Sequence, residues 1–140
     1  MKPRAVIFHD LGHAVAALAA AMELNARLWL WSAADAASYA GIGWFDGIVR
    51  QIRTLPGGND LCMVLDCGDR PELVQAALRQ GIKHVCYVGD KRTAAFLADI
   101  ARQRRAQLHV RRPAHALDLL DAADPAATCR GWLGMAKHAD

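Results

Sequence analysis

Short apolar runs in this chain end, one after another, in small polar clusters. Ala5 to His9 closes on His9-Asp10, Leu61 to Leu65 on Asp66-Cys67-Gly68-Asp69, and Lys83 to Val88 on Gly89-Asp90-Lys91. Arg27 to Trp31 and Gln107 to Arg111 complete a set of five β-like segments. Helix-like stretches alternate with them: Gly12 to Leu24, Trp44 to Arg53, Pro71 to Gln80, Arg92 to Arg105 and Ala114 to Ala123. Thr54-Leu55-Pro56-Gly57-Gly58-Asn59 is a break, since Pro and Gly end helices and favour turns. Gly81 is placed to follow the third helix as its left-handed C′ residue.

Alternating strands and helices predict parallel pairing, right-handed crossovers and helices on both faces of one sheet. The expected fold is therefore α/β, a three-layer αβα sandwich around a five-stranded parallel sheet. Leu61-Cys62-Met63-Val64-Leu65 is continuously apolar, as a strand covered on both sides should be. Gln107-Leu108-His109-Val110-Arg111 alternates, which suits a sheet edge. These traits favour the flavodoxin-like order 2-1-3-4-5, with its switch point between the first and third strands. That order would bring His9-Asp10 beside Asp66-Cys67. Residues 1–134 read as one domain and residues 135–140 as a flexible tail.

In such sheets ligands bind past the carboxyl ends of the strands, where the polar clusters fall. Asp10 and Asp90 each precede a helix and can cap it, and Asp69-Arg70-Pro71-Glu72 reads as a capping box. Asp66 is left without such a duty and becomes the expected polar anchor or general base, supported by His9 and Asp10. Its competing role is an Asx turn that bonds the loop backbone. Ser32, Cys67, Asp69, Gly89, Asp90, Lys91 and Arg112 complete the expected ligand-binding set, with helix N-termini offering N–H groups to an anion. His9-Asp10-x-x-His13 contains metal-ligand types, but its spacing across a strand and a helix defines no common face, and no metal is assigned. Cys67 would gain thiolate character from a helix N-terminus and lose it to the flanking carboxylates. Gly41-Ile42-Gly43-Trp44-Phe45-Asp46-Gly47 follows the second strand, at a distance, so it reads as a bend and not as a dinucleotide loop.

A formal charge of +3 on dispersed basic residues argues against a nucleic-acid surface. The four cysteines form no C-x-x-C pair, and three fall in or beside predicted strands, where a thiol behaves as a small apolar group. No apolar stretch approaches the ~20 residues a bilayer requires, and a reducing cytoplasm is expected. The Ala- and Arg-rich composition suggests a bacterial source. Trp29 and Trp31 share one face of the second strand; on an edge strand they would pack under a helix, wall a pocket or form a self-association surface.

An acid after strand one, Asp66 at the end of strand three and Arg112-Pro113 after strand five together resemble a response-regulator receiver domain. The chain departs from that pattern in carrying His9-Asp10 for two acids, Gly89-Asp90 for Ser or Thr, and arginine for lysine. The resemblance implies a non-phosphorylated, non-enzymatic receiver-like module; a regulatory or assembly module of that kind, self-associating through its aromatic edge, is the alternative reading. The first reading is a binder of a small anionic molecule at the C-terminal edge of the sheet, with hydrolase- or lyase-type proton transfer by Asp66 as its chemistry. No cofactor is specified by either reading.

Overall fold

The computed structural model describes residues 2–139, with side chains through residue 135. Six short strands form: β1 (Arg4–Phe8), β2 (Leu28–Ser32), β3 (Cys62–Asp66), β4 (His84–Cys86), β5 (Gln107–His109) and β6 (Ala116–Asp118). Six helices accompany them: α1 (Leu11–Leu24), α2 (Ala36–Tyr39), α3 (Ile42–Arg53), α4 (Pro71–Arg79), α5 (Lys91–Gln103) and α6 (Pro125–Ala139). The expected tail at residues 135–140 falls mostly on positions whose side chains lie outside the described residues.

The protein is α/β with a parallel sheet and helices packed on it, but the sheet differs from the expected one. It has six strands in the order β5-β4-β3-β2-β1-β6, not five in the order 2-1-3-4-5. Consecutive strands from β1 to β5 are neighbours, the usual outcome of short connections. β2 therefore separates β1 from β3, and no switch point lies between those two. The sixth strand replaces the helix expected from Ala114 to Ala123. Ala116-Leu117-Asp118 has helical composition, but three ladder positions beside β1 override that weak preference. β2 is an interior strand, so Trp31 is only 1% exposed and cannot contribute to a self-association edge.

The chain forms two compact units, Met1–Trp31 with Ile48–Cys62 and Pro113–Asp140, and Ser32–Gly47 with Met63–Arg112. In the first, β1 pairs in parallel with β6, matching Ala5 to Ala116 and Ile7 to Asp118. The Ala-rich α1 packs against α6, buries Ala14, Ala17, Leu18 and Ala21, and ends at Asn25 in the left-handed conformation. Trp132 fastens α6 to β1. Its Nε1 donates to the carbonyl of Ala5 at 3.1 Å, and the Arg4 guanidinium lies 3.7 Å from its ring centroid while donating to its carbonyl.

In the second unit, Leu65 and Asp66 of β3 pair with Val85 and Cys86 of β4, and His84, Val85 and Cys86 pair with Gln107, Leu108 and His109 of β5. β5 is at the sheet edge, as its alternation predicts. Val64, Leu65, Val74, Leu78, Val85 and Leu97 form the core beneath α4 and α5. Gly81 (φ +90°) follows α4 in the left-handed conformation, in the expected place. The capping box does not form: the N-cap of α4 is Arg70, without a side-chain cap bond, and Pro71 at the first helical position fixes the helix start two residues after Asp69. Gly43 and Gly47 lie within α3, whose start at Ile42 leaves only Gly41 (φ +100°) to make the bend. No described helix is long and apolar enough to cross a membrane.

Candidate functional site

Asp66 ends β3 with 1% of its surface exposed, and three hydrogen bonds hold its carboxylate. Oδ1 accepts from the backbone N–H groups of Asp35 and Gly68, each at 2.8 Å, and Oδ2 accepts from Arg112 Nη1 at 2.9 Å. Arg112 Nη2 donates to the carbonyl of Ser32 at 2.9 Å, and the Asp66 N–H donates to Ser32 Oγ. Three expected site residues, Ser32, Asp66 and Arg112, thus form one closed network. It ties the loop after β2 to the loop after β3 and to the end of β5. The Asx-type bond from Asp66 to Gly68 is the structural role foreseen for this aspartate. A buried carboxylate bonded in this way organises the backbone of two loops.

Gly68 is required by the same network. Its φ is +59°, and a Cβ there would stand 2.7 Å from Asp35 Oδ1. Asp35 itself adopts φ +60°, and its Oδ1 is buried with only the distant Arg70 Nε, at 3.9 Å, beside it. Sequence reasoning passed over Asp35, because nothing in Ala33-Ala34-Asp35 announces a partner thirty-one residues away. Cys67 is completely buried, and burial, reinforced by the Asp66 and Asp35 carboxylates, pushes its thiol up to about 12. At neutral pH it is a protonated, buried thiol packed in the core.

Beyond this knot, β4 leads through Gly89 into α5. Asp90 caps α5 as foreseen: Oδ2 accepts the Thr93 N–H at 3.0 Å, and Thr93, through its N–H and its hydroxyl, holds the Asp90 carboxyl below its ordinary range. Gly89 makes room for a neighbouring ring, since a Cβ there would stand 2.3 Å from Tyr87 Oη. A groove of about 500 Å3 opens beside this turn, lined by Gly89, Lys91, Ala94, Ala95, Ala98, Val110 and Arg111. Its floor is apolar and its rim carries two exposed cations, Lys91 and Arg111. Arg111, and not the expected Arg112, reaches the groove; alternate residues of an extended segment point to opposite sides. Asp69 is exposed and outside the groove lining.

His9 and Asp10 occupy a different place, in the first unit. His9 Nε2 lies 2.6 Å from Asp118 Oδ1, at the adjacent ends of β1 and β6, and the Asp118 carboxylate also accepts the Leu120 N–H. The His9 N–H donates to His13 Nδ1 at 3.1 Å, which commits that nitrogen as an acceptor and fixes the ring edge-on to His9. Asp10 caps α1 by accepting the His13 N–H at 2.8 Å. The His-Asp-x-x-His segment thus directs two of its groups to local bonds and the His9 ring to Asp118 of β6. Asp118 could be read as its partner only once β6 was known to be a strand.

No protein-family model matches the chain, and comparison with curated proteins gives no match. Functional assignment therefore rests on the geometry alone.

Proposed function

We propose that this protein binds a small anionic molecule with an apolar body in the groove between α5 and the end of β5. The observation that carries the reading is the pairing of charge and shape there. Lys91 and Arg92 are the first two residues of α5, which has no acidic residue in its first turn. The Asp90 carboxylate already caps that helix end, and Lys91 stands beside it on the groove rim with its charge available to an anionic ligand. Arg111 adds a second cation across the groove, and Ala94, Ala95, Ala98 and Val110 supply a surface for a hydrocarbon or aromatic portion. Val110 is 53% exposed, a large apolar side chain in the open that ligand burial would cover.

Asp66 enters this reading as a positioning residue. With Arg112 and Ser32 it holds the loops that flank the carboxyl ends of β3 and β5, while Lys91 and Arg111 make the anion contacts. This gives the binding half of the expected function a location and leaves proton transfer by Asp66 without support. The self-associating alternative keeps the half-buried Trp29 but not Trp31, which is buried in an interior strand.

The test is ligand-dependent stabilisation with phenyl phosphate, compared with inorganic phosphate, at low ionic strength. At ten times its Kd, phenyl phosphate stabilises the folded protein by roughly 1.4 kcal/mol. Inorganic phosphate has a smaller effect, and Lys91→Ala and Arg111→Ala each reduce the phenyl phosphate effect at least several-fold. Equal stabilisation of wild type and both variants, or none up to millimolar concentration, refutes the assignment.

A further inference from the structure

β5 is the last strand of the sheet on its side, and among the described residues only β4 pairs with it. The Gln107 N–H donates to the carbonyl of Lys83 at 2.8 Å, and the His109 carbonyl accepts the Tyr87 N–H at 2.9 Å. Backbone groups of successive residues in an extended strand point to opposite edges. Gln107 and His109 therefore serve β4, while Leu108 and Val110 turn their N–H and C=O groups to the free edge. Leu108-His109-Val110 contains none of the lysine, proline or acidic residues that commonly block an exposed edge.

The same strand borders the groove assigned above to an anionic ligand. α5 packs beside β5, and Lys91, Ala94, Ala95 and Ala98 line the groove together with Val110 and Arg111. All of these residues belong to the second compact unit. Among the described residues neither Lys91 nor Arg111 forms an ion pair. Arg111 follows Val110 past the carboxyl end of β5, and Lys91 opens α5 past the carboxyl end of β4, so both charges stand at one end of the open edge.

Resting on the anion-binding reading, we propose that the ligand is the carboxyl-terminal segment of a polypeptide, added along β5 as a further parallel strand. Its terminal carboxylate lies between Lys91 and Arg111, where charge is complementary. A chain whose carboxylate lies there runs in the direction of β5, which continues the parallel sheet. Its main chain takes the outward N–H and C=O groups of Leu108 and Val110, and its last side chain, an apolar one, covers Ala94, Ala95, Ala98 and the 53% exposed Val110. Strand addition of this kind draws affinity from main-chain hydrogen bonds and specificity from the pocket that receives alternate side chains. A compact anion with an apolar body satisfies the charges and the floor of the groove but leaves the edge of β5 unpaired. A peptide satisfies all three.

The experiment is an amide NMR titration of the whole chain with acetyl-Thr-Val-Thr-Val, as its free acid and as its carboxyl-terminal amide, with phenyl phosphate in parallel. The free acid is expected to shift the amide signals of Leu108, Val110 and the α5 residues that line the groove. The amide form binds roughly tenfold more weakly, and Lys91→Ala and Arg111→Ala weaken binding of the free acid by about as much, since each change removes a charge-assisted contact. Methylating the peptide nitrogens one at a time separates strand addition from simple anion capture. Only alternate N–H groups of an added strand point at β5, so of two successive positions one loses roughly tenfold in affinity on methylation and the other tolerates it. Binding of phenyl phosphate through Lys91 and Arg111 without binding of the peptide overturns this proposal and leaves the anion-binding reading standing. Failure of both ligands removes both. Equal affinity for acid and amide overturns the proposal, as does tolerance of methylation at every position. So do concentration-dependent shifts of the Leu108 and Val110 amides without peptide, which would assign the edge to a second copy of the chain.

Discussion

Replacing Asp66 with asparagine alters one atom of the network at the end of β3 and reverses its hydrogen-bonding sense. Asparagine Oδ1 can still accept from the N–H groups of Asp35 and Gly68, but its NH2 then faces the Arg112 Nη1 that donates to the carboxylate. Two donors meet where a donor met an anion, and the guanidinium loses a charge partner that is itself only 2% exposed. Removing one partner of a buried pair costs about 3–5 kcal/mol. Arg112 is 23% exposed and keeps its bond to Ser32, so water and that carbonyl recover part of the loss. The expected cost is about 2–3 kcal/mol, or roughly 6–12 °C in unfolding midpoint for a chain of this size. Thermal and urea unfolding followed by circular dichroism measure it directly. A double-mutant cycle with Arg112→Met isolates the pair, because removing both charges leaves neither one buried alone. The coupling should be at least about 1 kcal/mol. A cost below about 0.5 kcal/mol for Asp66→Asn, or additive behaviour in the cycle, refutes the structural role assigned to this aspartate.

Gly68→Ala should destabilise by about 1–3 kcal/mol in the same assays, since alanine is strained at φ +59° and its Cβ meets the Asp35 carboxylate; an unchanged urea midpoint would contradict this. The neutral His109 imposes a pH dependence of definite sign. Its folded pKa, about 4, lies below the unfolded value of about 6.5, so the unfolded chain takes up the proton first on acidification. The stability associated with His109 is fully present above pH ~6.5, declines as pH falls towards ~4, and is about 1–2 kcal/mol after allowance for partial solvation. The difference in unfolding free energy between wild type and His109→Asn, measured from pH 7.5 to 4.5, should therefore narrow by that amount, and a constant difference would exclude it.

Much of the architecture was legible because it is written in local patterns. Apolar runs bounded by polar clusters located β1 to β5, the alternation of elements required a parallel sheet, and Asp10, Asp90 and Gly81 marked helix ends by chemistry that acts within four residues. One misreading lay within reach of the same reasoning. Leu28-Trp29-Leu30-Trp31 is as continuously apolar as the β3 segment, and a strand covered on both faces belongs inside the sheet, not at its edge. Placing β2 inside would have removed the expected neighbourhood of β1 and β3.

Other features had no local signature. Ala116-Leu117-Asp118 becomes a strand because the free edge of β1 offers it a ladder, a preference supplied by the partner and not by its own residues. With it came Asp118, the unforeseen partner of His9. Asp66 stood out in the sequence as an aspartate ending an apolar strand, yet its bonds to Asp35 and Arg112 span thirty-one and forty-six residues. His84 and His109 appear in sequence as unrelated residues on two strands, and only strand register brings their rings together. The sequence by itself determined which segments extend, which coil and where polar groups collect, because those depend on side-chain periodicity and near-neighbour hydrogen bonds. Tertiary structure alone decided which strands are neighbours and which distant polar groups meet, because pairing energy belongs to two segments at once and neither one encodes it.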